Sequence, residues 1–550
     1  MTATPSPAGT AEPAGSTPPE EAGWRRLNPR MLLLYPVQEL PRALPALFGL
    51  LVAGSSRGNG QLWSFVGVAI VVGLGVLRWV TTSYRITPEQ VQVRRGLLRR
   101  QVLTVPRDRV RTVDVTAHVL HRLLGVARVN IGTGQSDRER ESGIRLDGLS
   151  AEEAAGLREE LLHRRARPER AATGTAPEPG AGAATAAPPV AEVERELARL
   201  DPAWIRFGPF TLSGVVTLGL LAGFLSQLVN EAHVDPSRFG LVRTVVDQLA
   251  GAGVWLAILE VVAAAVLVVA IASTLGYVLA FWGFRLARHS GGTLQVTRGL
   301  VTTRATTIEE RRLRGVELSE PLLLRAVGGA RCIAIATGLR VGRGAERGGS
   351  MLLPPAPRAE ALRVAAAVLG RREPVVAPLR AHGPAARRRR YTRALPLCAL
   401  LAAAAAGLWW WAGLPAWVVV ASLALLPLGA LLAADRYRSL GHEVVDRALV
   451  SAYGSLLRRR NVLACDGIIG WNLRQSFFQR RAGLVTLTAT TAAGRQAYRV
   501  QDVTTAEALR VAGEAIPGLL TPFLAGPAGE RRAGPAGEPP ARKAPIRWER

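Results

Sequence analysis

Few side chains in this 550-residue chain are placed to do chemistry. Glu260 stands in "WLAILEVVAAAVLVVAIAS", and a carboxylate within an apolar helix marks an ion or substrate path by default. The apolar block runs from Gly251 to Phe284, however, and a span needs only about 20 residues. The span can start just after Glu260 and leave the carboxylate at the interface. "HVLH" (His118–His121) spaces two imidazoles as metal ligands on a helix would be, but no Glu, Asp or Cys lies in the motif, so packing is the expected role. "VGRGAERGG" (Val341–Gly349) has the glycines of a phosphate cradle without a helix pattern behind it, and reads as a hairpin tip. No GxxxxGK[ST], HExxH or GxSxG occurs. Cys332, Cys398 and Cys465 are far apart and form no CxxC, which argues against a disulfide framework or a zinc site. No catalytic residue, metal or cofactor is expected.

The remaining chemistry is that of arginine. The formal charge is +27 although 48% of the residues are apolar, and Lys543 is the single lysine. Arg94, Arg95, Arg99 and Arg100 crowd one hairpin, Arg298 and Arg304 a second, and Arg458, Arg459 and Arg460 a third. Beside anionic lipid headgroups each such charge contributes about 1 kcal/mol. These nine are the candidate headgroup-binding residues. The competing reading is that they fix membrane topology and solvate a face. No nucleic-acid-binding signature accompanies them, so no nucleic acid is expected as a partner.

Apolar blocks position these hairpins, and they come in pairs. Cys398 to Ala434 holds no charge. One straight helix of that length would run roughly 55 Å, against a hydrocarbon core of about 30 Å. The block must fold back, and "WAGLP" (Trp411–Pro415) offers the turn, with Trp409, Trp410, Trp411 and Trp417 at the far interface. A second pair is Phe207–Val229 with Gly251–Phe284, and a first is Leu44–Gly54 with Leu62–Val80. Arginines gather on one side of these pairs (Arg25, Arg26, Arg30, Arg85, Arg387–Arg390, Arg393, Arg436, Arg438), which predicts that side to be cytoplasmic.

Each pair leads into a β-patterned segment of similar design. Each opens on an aromatic-Arg pair: Tyr84-Arg85, Phe284-Arg285, Tyr437-Arg438. Each has a hairpin glycine (Gly96, Gly299, Gly454), an apolar residue fourteen later (Val110, Leu313, Ile468) and another glycine twenty-nine later (Gly125, Gly328, Gly483). Three copies at two fixed intervals make an internal repeat. Alternation at Val91/Val93, Val129/Ile131 and Val485/Leu487 predicts strands. A helix closes each copy, with capping-box spacing at Ser150/Glu153 and Thr504/Glu507. "RRLNP" and "ARLDP" precede the first two pairs; the third has "RRRRYTRALP" instead.

Paired apolar helices followed by "YRIT…VQVRRGLLRRQVLTVPRDRVRTVDV…LLGVARVNIGTG" resemble the bacterial pleckstrin-homology-like (PH-like) domain of the second type (DUF304). Three copies on six helices resemble the YdbT-like membrane proteins. The third copy departs from the pattern with Tyr453-Gly454 and "LACDGIIGW", and Asn28 stands where that family usually has histidine. The resemblance implies a barrel-like fold with a C-terminal helix, no catalysis, and pairing with a smaller single-PH-domain membrane protein.

The expected fold class is therefore membrane α + β: three pairs of transmembrane helices, each followed by a PH-like small β-barrel or sandwich with a C-terminal helix. The order reads as a disordered tail (1–23), pair 1 (24–83), module 1 (84–165), a flexible linker (166–197), pair 2 (198–283), module 2 (284–372), a basic linker (373–393), pair 3 (394–436), module 3 (437–517) and a disordered basic tail (518–550). The protein is expected in the inner (plasma) membrane, multi-pass, with termini and modules cytoplasmic. Its expected role is a non-catalytic scaffold or binding platform in envelope maintenance or stress resistance. Its expected partners are membrane lipids and a smaller relative or a second copy. A small-molecule transporter or channel subunit and a membrane enzyme are the alternatives.

Overall fold

The computed structural model describes residues 24–34, 60–87, 89–96, 100–107, 110, 112–132, 144–150, 152–154, 156–157, 193–211, 219, 223, 254–339 and 350–519. Both terminal tails, the first apolar block Leu44–Gly54, Phe207–Val229 beyond Thr211 apart from Gly219 and Gly223, most of the 166–197 linker, and the tip Val341–Gly349 lie outside these residues.

Module 1 begins with the two-residue strand β1 (Arg25–Arg26). Helix α1 (Gly60–Thr81), whose one charged residue is Arg78, covers the expected second member of pair 1. Then come β2 (Ser83–Ile86), β3 (Gln90–Arg95), β4 (Gln101–Pro106), β5 (Thr112–His118), the short α2 (Val119–Leu123), β6 (Val126–Gly132) and β7 (Ile144–Ser150). Val91, Val93, Val113, Val129 and Ile131 are all buried, so the period-two pattern points one face of each strand into a common core.

Module 2 begins with β8 (Val193–Arg199) and a 3-10 helix over Pro202–Phe210. The apolar helix α3 (Val254–Phe281) is followed by β9 (Arg285–His289), β10 (Thr293–Arg298), β11 (Thr302–Glu309), β12 (Leu313–Pro321), α4 (Leu322–Ala326), β13 (Gly329–Ala336), β14 (Met351–Pro357) and α5 (Arg358–Leu369). In module 3 the short α6 (Glu373–Val376) leads to α7 (Pro384–Ala412) and α8 (Ala416–Arg438). Strands β15 (Gly441–Val445), β16 (Ala448–Tyr453), β17 (Leu457–Ala464) and β18 (Gly470–Arg474) follow. The chain then runs through α9 (Phe477–Arg481), β19 (Leu484–Thr490), β20 (Ala497–Thr504) and α10 (Thr505–Ala515). The hairpin glycines Gly96, Gly299 and Gly454 all sit at positive φ, and a Cβ on Gly299 or Gly454 would lie 2.0 Å from a carbonyl oxygen. The repeat therefore has a steric cause.

The sheets do not follow the module boundaries. Each module supplies one half of three or four strands up to its β4-type strand and a second half of three strands after it. The second half of one module joins the first half of the next. The strand orders are β1-β2-β3-β4, then β7-β6-β5-β11-β10-β9-β8, then β14-β13-β12-β17-β16-β15, then β18-β19-β20. Sequence patterning shows none of this.

Three described helices are long and apolar enough to cross a membrane, over Val262–Phe281, Pro384–Ala412 and Ala416–Arg438. The third block folds back as its length demands. Gly413 ends α7 in the left-handed region and Pro415 starts α8. Gly429 lets the two approach so closely that a Cβ there would meet Cys398 Sγ at 2.8 Å.

Several expectations need correction. Val193–Arg199 is not linker but a strand on β9. The stretch 373–393 is not an open basic linker: its arginine run forms the first turns of α7. That run can be helical because Asp502 accepts from Arg389 at 3.1 Å and Arg390 at 2.8 Å. Phe207 does not start a lipid-facing helix. It is buried with Trp204 in the core of module 2. Tyr437 does not open a strand as Tyr84 does; it ends α8 and donates to the His382 carbonyl at 2.6 Å.

Candidate functional site

The arginine hairpins lie where helices leave the apolar zone and where modules join. Three clamps hold the helix ends. Below α1, Trp79 Nε1 donates to the Leu27 and Asn28 carbonyls, both at 3.2 Å. Tyr277, near the end of α3, donates to the Pro355 carbonyl at 2.8 Å. Below α8, Asp435 accepts from Ser455 at 2.8 Å, Arg325 at 3.2 Å and Arg458 at 3.3 Å. Arg325 belongs to module 2 and Arg458 to module 3, so one carboxylate ties a helix to two modules. The lead-in motifs act alike. Asn28 accepts from the Arg30 amide at 3.0 Å, and Asp201 from the Ala203 amide at 2.9 Å.

Two junctions join the sheets. In junction 1, β5 pairs antiparallel with β11, and Thr302 faces His118. In junction 2, β12 pairs antiparallel with β17, and Gly315 faces Leu463. Counted from each module's own hairpin glycine, these are positions 3 and 22 in the first and 9 and 16 in the second; facing positions total 25 in both. The register is thus shared. So is the stitching. Position 5 of the later module is Arg304 or Arg459, and position 18 of the earlier one is Asp114 or Glu317. Arg304 meets Asp114 at 2.9 Å, and Arg459 meets Glu317 at 3.3 Å. These are diagonal cross-strand neighbours on one face. Glu317 is only 2% exposed and also receives Arg495 at 3.1 Å. A cleft of about 670 Å³ opens beside junction 2, with Arg288, Arg314 and Arg371 each near an acid of their own.

The candidate arginines separate accordingly. Arg304, Arg458 and Arg459 face carboxylates within the chain. Arg460 donates to the carbonyls of Ala377 at 2.6 Å and Pro374 at 3.4 Å. Arg298 is buried, stacked over Phe281, and donates to Met351 Sδ; burial, then Arg304, lower its pKa to about 10. Arg94 lies over the Trp24 ring at 5.7 Å. Arg95 and Arg100 are exposed at the hairpin of module 1, and Arg99 lies outside the described residues. Glu260 is exposed on α3, two residues before the apolar window Val262–Phe281.

Of the paired histidines, His118 Nδ1 is 2.7 Å from the Thr302 hydroxyl in junction 1, and His121 is buried. A second histidine pair went unforeseen. His442 Nε2 lies 2.9 Å from Glu507 Oε1, and its Nδ1 lies 3.0 Å from His382 Nε2. The carboxylate accepts from Nε2, and the two imidazoles share the hydrogen bond between them. Glu507 thereby completes only half of the expected capping box: its amide donates to Thr504 Oγ1 at 3.2 Å while its carboxylate turns to His442 and Arg510. Hydrogen bonds from Arg510, ahead of the one from His442, push Glu507 down to about 2. Burial, then the neighbouring His442, lower His382 to about 4. The Ser150/Glu153 box is complete. A further box at Ser476/Gln479 was legible as S-x-x-Q in "SFFQ".

Sequence reasoning missed Asp114, Glu317, Asp435 and the His382–His442 pair. The acid eighteen residues after the hairpin glycine in copies one and two was the available signal for the first two.

A family model described as the bacterial PH domain matches the chain three times, over residues 39–165, 241–371 and 394–515. No curated protein and no solved structure matches it.

Proposed function

We propose, from the premise that this chain belongs to the bacterial PH domain family, that it is a multi-pass membrane protein whose three modules form a non-catalytic scaffold at the inner leaflet. In this reading six helices in three pairs anchor the modules on the cytoplasmic side, and the row of modules serves envelope maintenance or stress resistance. The observation that carries it is the continuity of the modules. Each is hydrogen-bonded through a shared sheet to the next, and each is clamped to the end of an apolar helix. Such a row presents an extended wall rather than separate domains.

In this reading the exposed Arg100 of the module 1 hairpin faces the anionic headgroups. Glu260 fits an interfacial position better than a midplane one, because the uncharged stretch that follows it to the end of α3 is long enough to span by itself. The test is a compartment-sensing reporter fused after each module in turn. Cytoplasmic signals from all three are expected; one module reporting from outside would overturn the scaffold. Crosslinking pull-down from native membranes then asks whether a smaller single-module relative travels with it.

A further inference from the structure

We infer that the two end strands left without a junction, β4 of module 1 and β18 of module 3, pair with each other between two copies of this chain. Every β4-type strand inside the row has a partner: β11 takes β5 and β17 takes β12. Their counterpart β4 pairs, among the described residues, with β3 alone. Likewise β5 and β12 are paired, while their counterpart β18 bonds, among the described residues, only β19. An unpaired edge is a template for another strand, and here the chain itself displays, twice, what that strand is and how it lies.

The shared register sets the contact. Carried to the ends, it places Val102 opposite Leu473, Gln101 opposite Arg474 and Leu103 opposite Asn472. The side chains suit this. Val102 is 53% exposed, Leu103 39% and Leu473 41%. In the existing junctions the counterparts of Leu103, Thr306 and Asn461, are 3% and 0% exposed. At Leu103 the end thus shows apolar surface at a position the fold elsewhere covers, while the counterparts of Val102, Ala305 and Arg460, are half-buried. Junction 2 has a glycine that junction 1, with Thr112 in its place, does not share. Gly315 must lack a Cβ, because one would lie 2.0 Å from the Val462 carbonyl across junction 2. Gly470 holds the same repeat position on β18, yet within the chain a Cβ there would meet only Thr490 Oγ1 at an ordinary 3.4 Å.

Charge selects the occupant. Where the junctions have arginine against an acid, β4 has Gln101 and β18 has Asn472. Both members of the ion pair are replaced together by amides that can bond each other. An edge carrying the usual acid would face no arginine on β4, and an edge carrying the usual arginine would face no acid on β18. The two ends complement each other better than either complements an interior strand. The contact is head-to-tail, so it closes a ring or continues as an array. For that geometry alone the inference rests on the scaffold reading, which puts every module on one side of the membrane; the repeating operation is then an in-plane one.

The experiment uses the full chain in native membranes. Two differently tagged copies are co-expressed, one with Val102→Cys and one with Leu473→Cys, and the membranes are oxidised. A disulfide-linked species bearing both tags is expected, absent when both copies carry Val102→Cys, when both carry Leu473→Cys, or when only the native cysteines are present. Adding Asn472→Asp to the Leu473→Cys copy should reduce it to background. Like-with-like linkage of equal yield, no linkage, linkage within one chain, or capture of a smaller protein instead of the second copy would each overturn the proposal. Labelling both cysteines with an impermeant maleimide in inverted vesicles separates the two ideas. Labelling from opposite sides sinks the scaffold reading; labelling from one side without linkage sinks only the pairing of copies.

Discussion

Junction 1 and junction 2 have one register and two textures. Across junction 1, β11 offers Thr302, Thr303, Arg304, Thr306 and Thr307, and the bonds are polar: Thr306 to Asp114 at 2.7 Å, Thr302 to His118, Arg122 to the Leu300 carbonyl at 2.8 Å. The apolar core of module 1 stays separate from that of module 2. Across junction 2 the core of module 2 runs on into Ala448, Val450 and Val462 of module 3, and the ion pair is buried. Backbone pairing therefore fixes where modules meet, while side chains decide how firmly. Modules 2 and 3 are fused, whereas module 1 is stitched on.

The strongest way to break this comparison is to remove the acids. Glu317→Ala strands two arginines at a buried site and should cost about 3–5 kcal/mol. Asp114→Ala acts on a half-buried pair and should cost about 1 kcal/mol. Unfolding of the detergent-solubilised protein by heat or denaturant reads both, and equal losses would mean the junctions do not differ.

Acid tests the fused end next. His382 has a folded pKa of about 4 against an ordinary 6.5, so it is held neutral. Its stabilising effect is complete above about pH 6.5 and is lost as pH falls toward 4, by up to about 3 kcal/mol. Glu507, depressed to about 2, adds a loss below its ordinary 4.5. His382→Gln should flatten the melting-temperature profile between pH 6.5 and 4.

Gly315→Ala sharpens the comparison at a smaller scale. The new methyl would press on the Val462 carbonyl, and a cost of about 1–3 kcal/mol is expected. Junction 1 carries Thr112 at that position, so Thr112→Ala should change stability by less than about 1 kcal/mol. The smallest effect belongs to the lipid surface. Arg100→Glu should weaken retention of anionic lipid by about 1 kcal/mol without lowering the melting temperature, as native mass spectrometry of the solubilised protein can read. Arg459→Glu should do the reverse.

The repeat, the strands and the folded-back third block were legible, because each follows from local rules: alternation, a glycine forced to positive φ, a block too long for one span. The junctions were not. Strand pairing between modules joins residues nearly two hundred positions apart, as Asp114 and Arg304 are, and leaves no period in the sequence. Val193–Arg199 reads "VERELAR", too charged to suggest a strand, and becomes one by pairing with β9 and burying Leu197 and Ala198 in the core of module 2. Of the candidate site, the arginines could be named but not sorted. Which of them meet carboxylates depends on Asp114 and Glu317, whose partners come from the next copy of the repeat, and on Asp435, which takes Arg325 from the preceding copy as well as Arg458 from its own.

Asp435 joins the apolar hairpin α7–α8 to two modules at once, as the short arm of a lever. The hairpin α7–α8 is the long arm, and its short arm ends on Arg325 and Arg458, one in each of two modules. The hairpin cannot lean in the lipid without either swinging both modules together or pulling these contacts apart. Under the scaffold proposal, any tilt of that hairpin would load the modules 2–3 block through this one carboxylate.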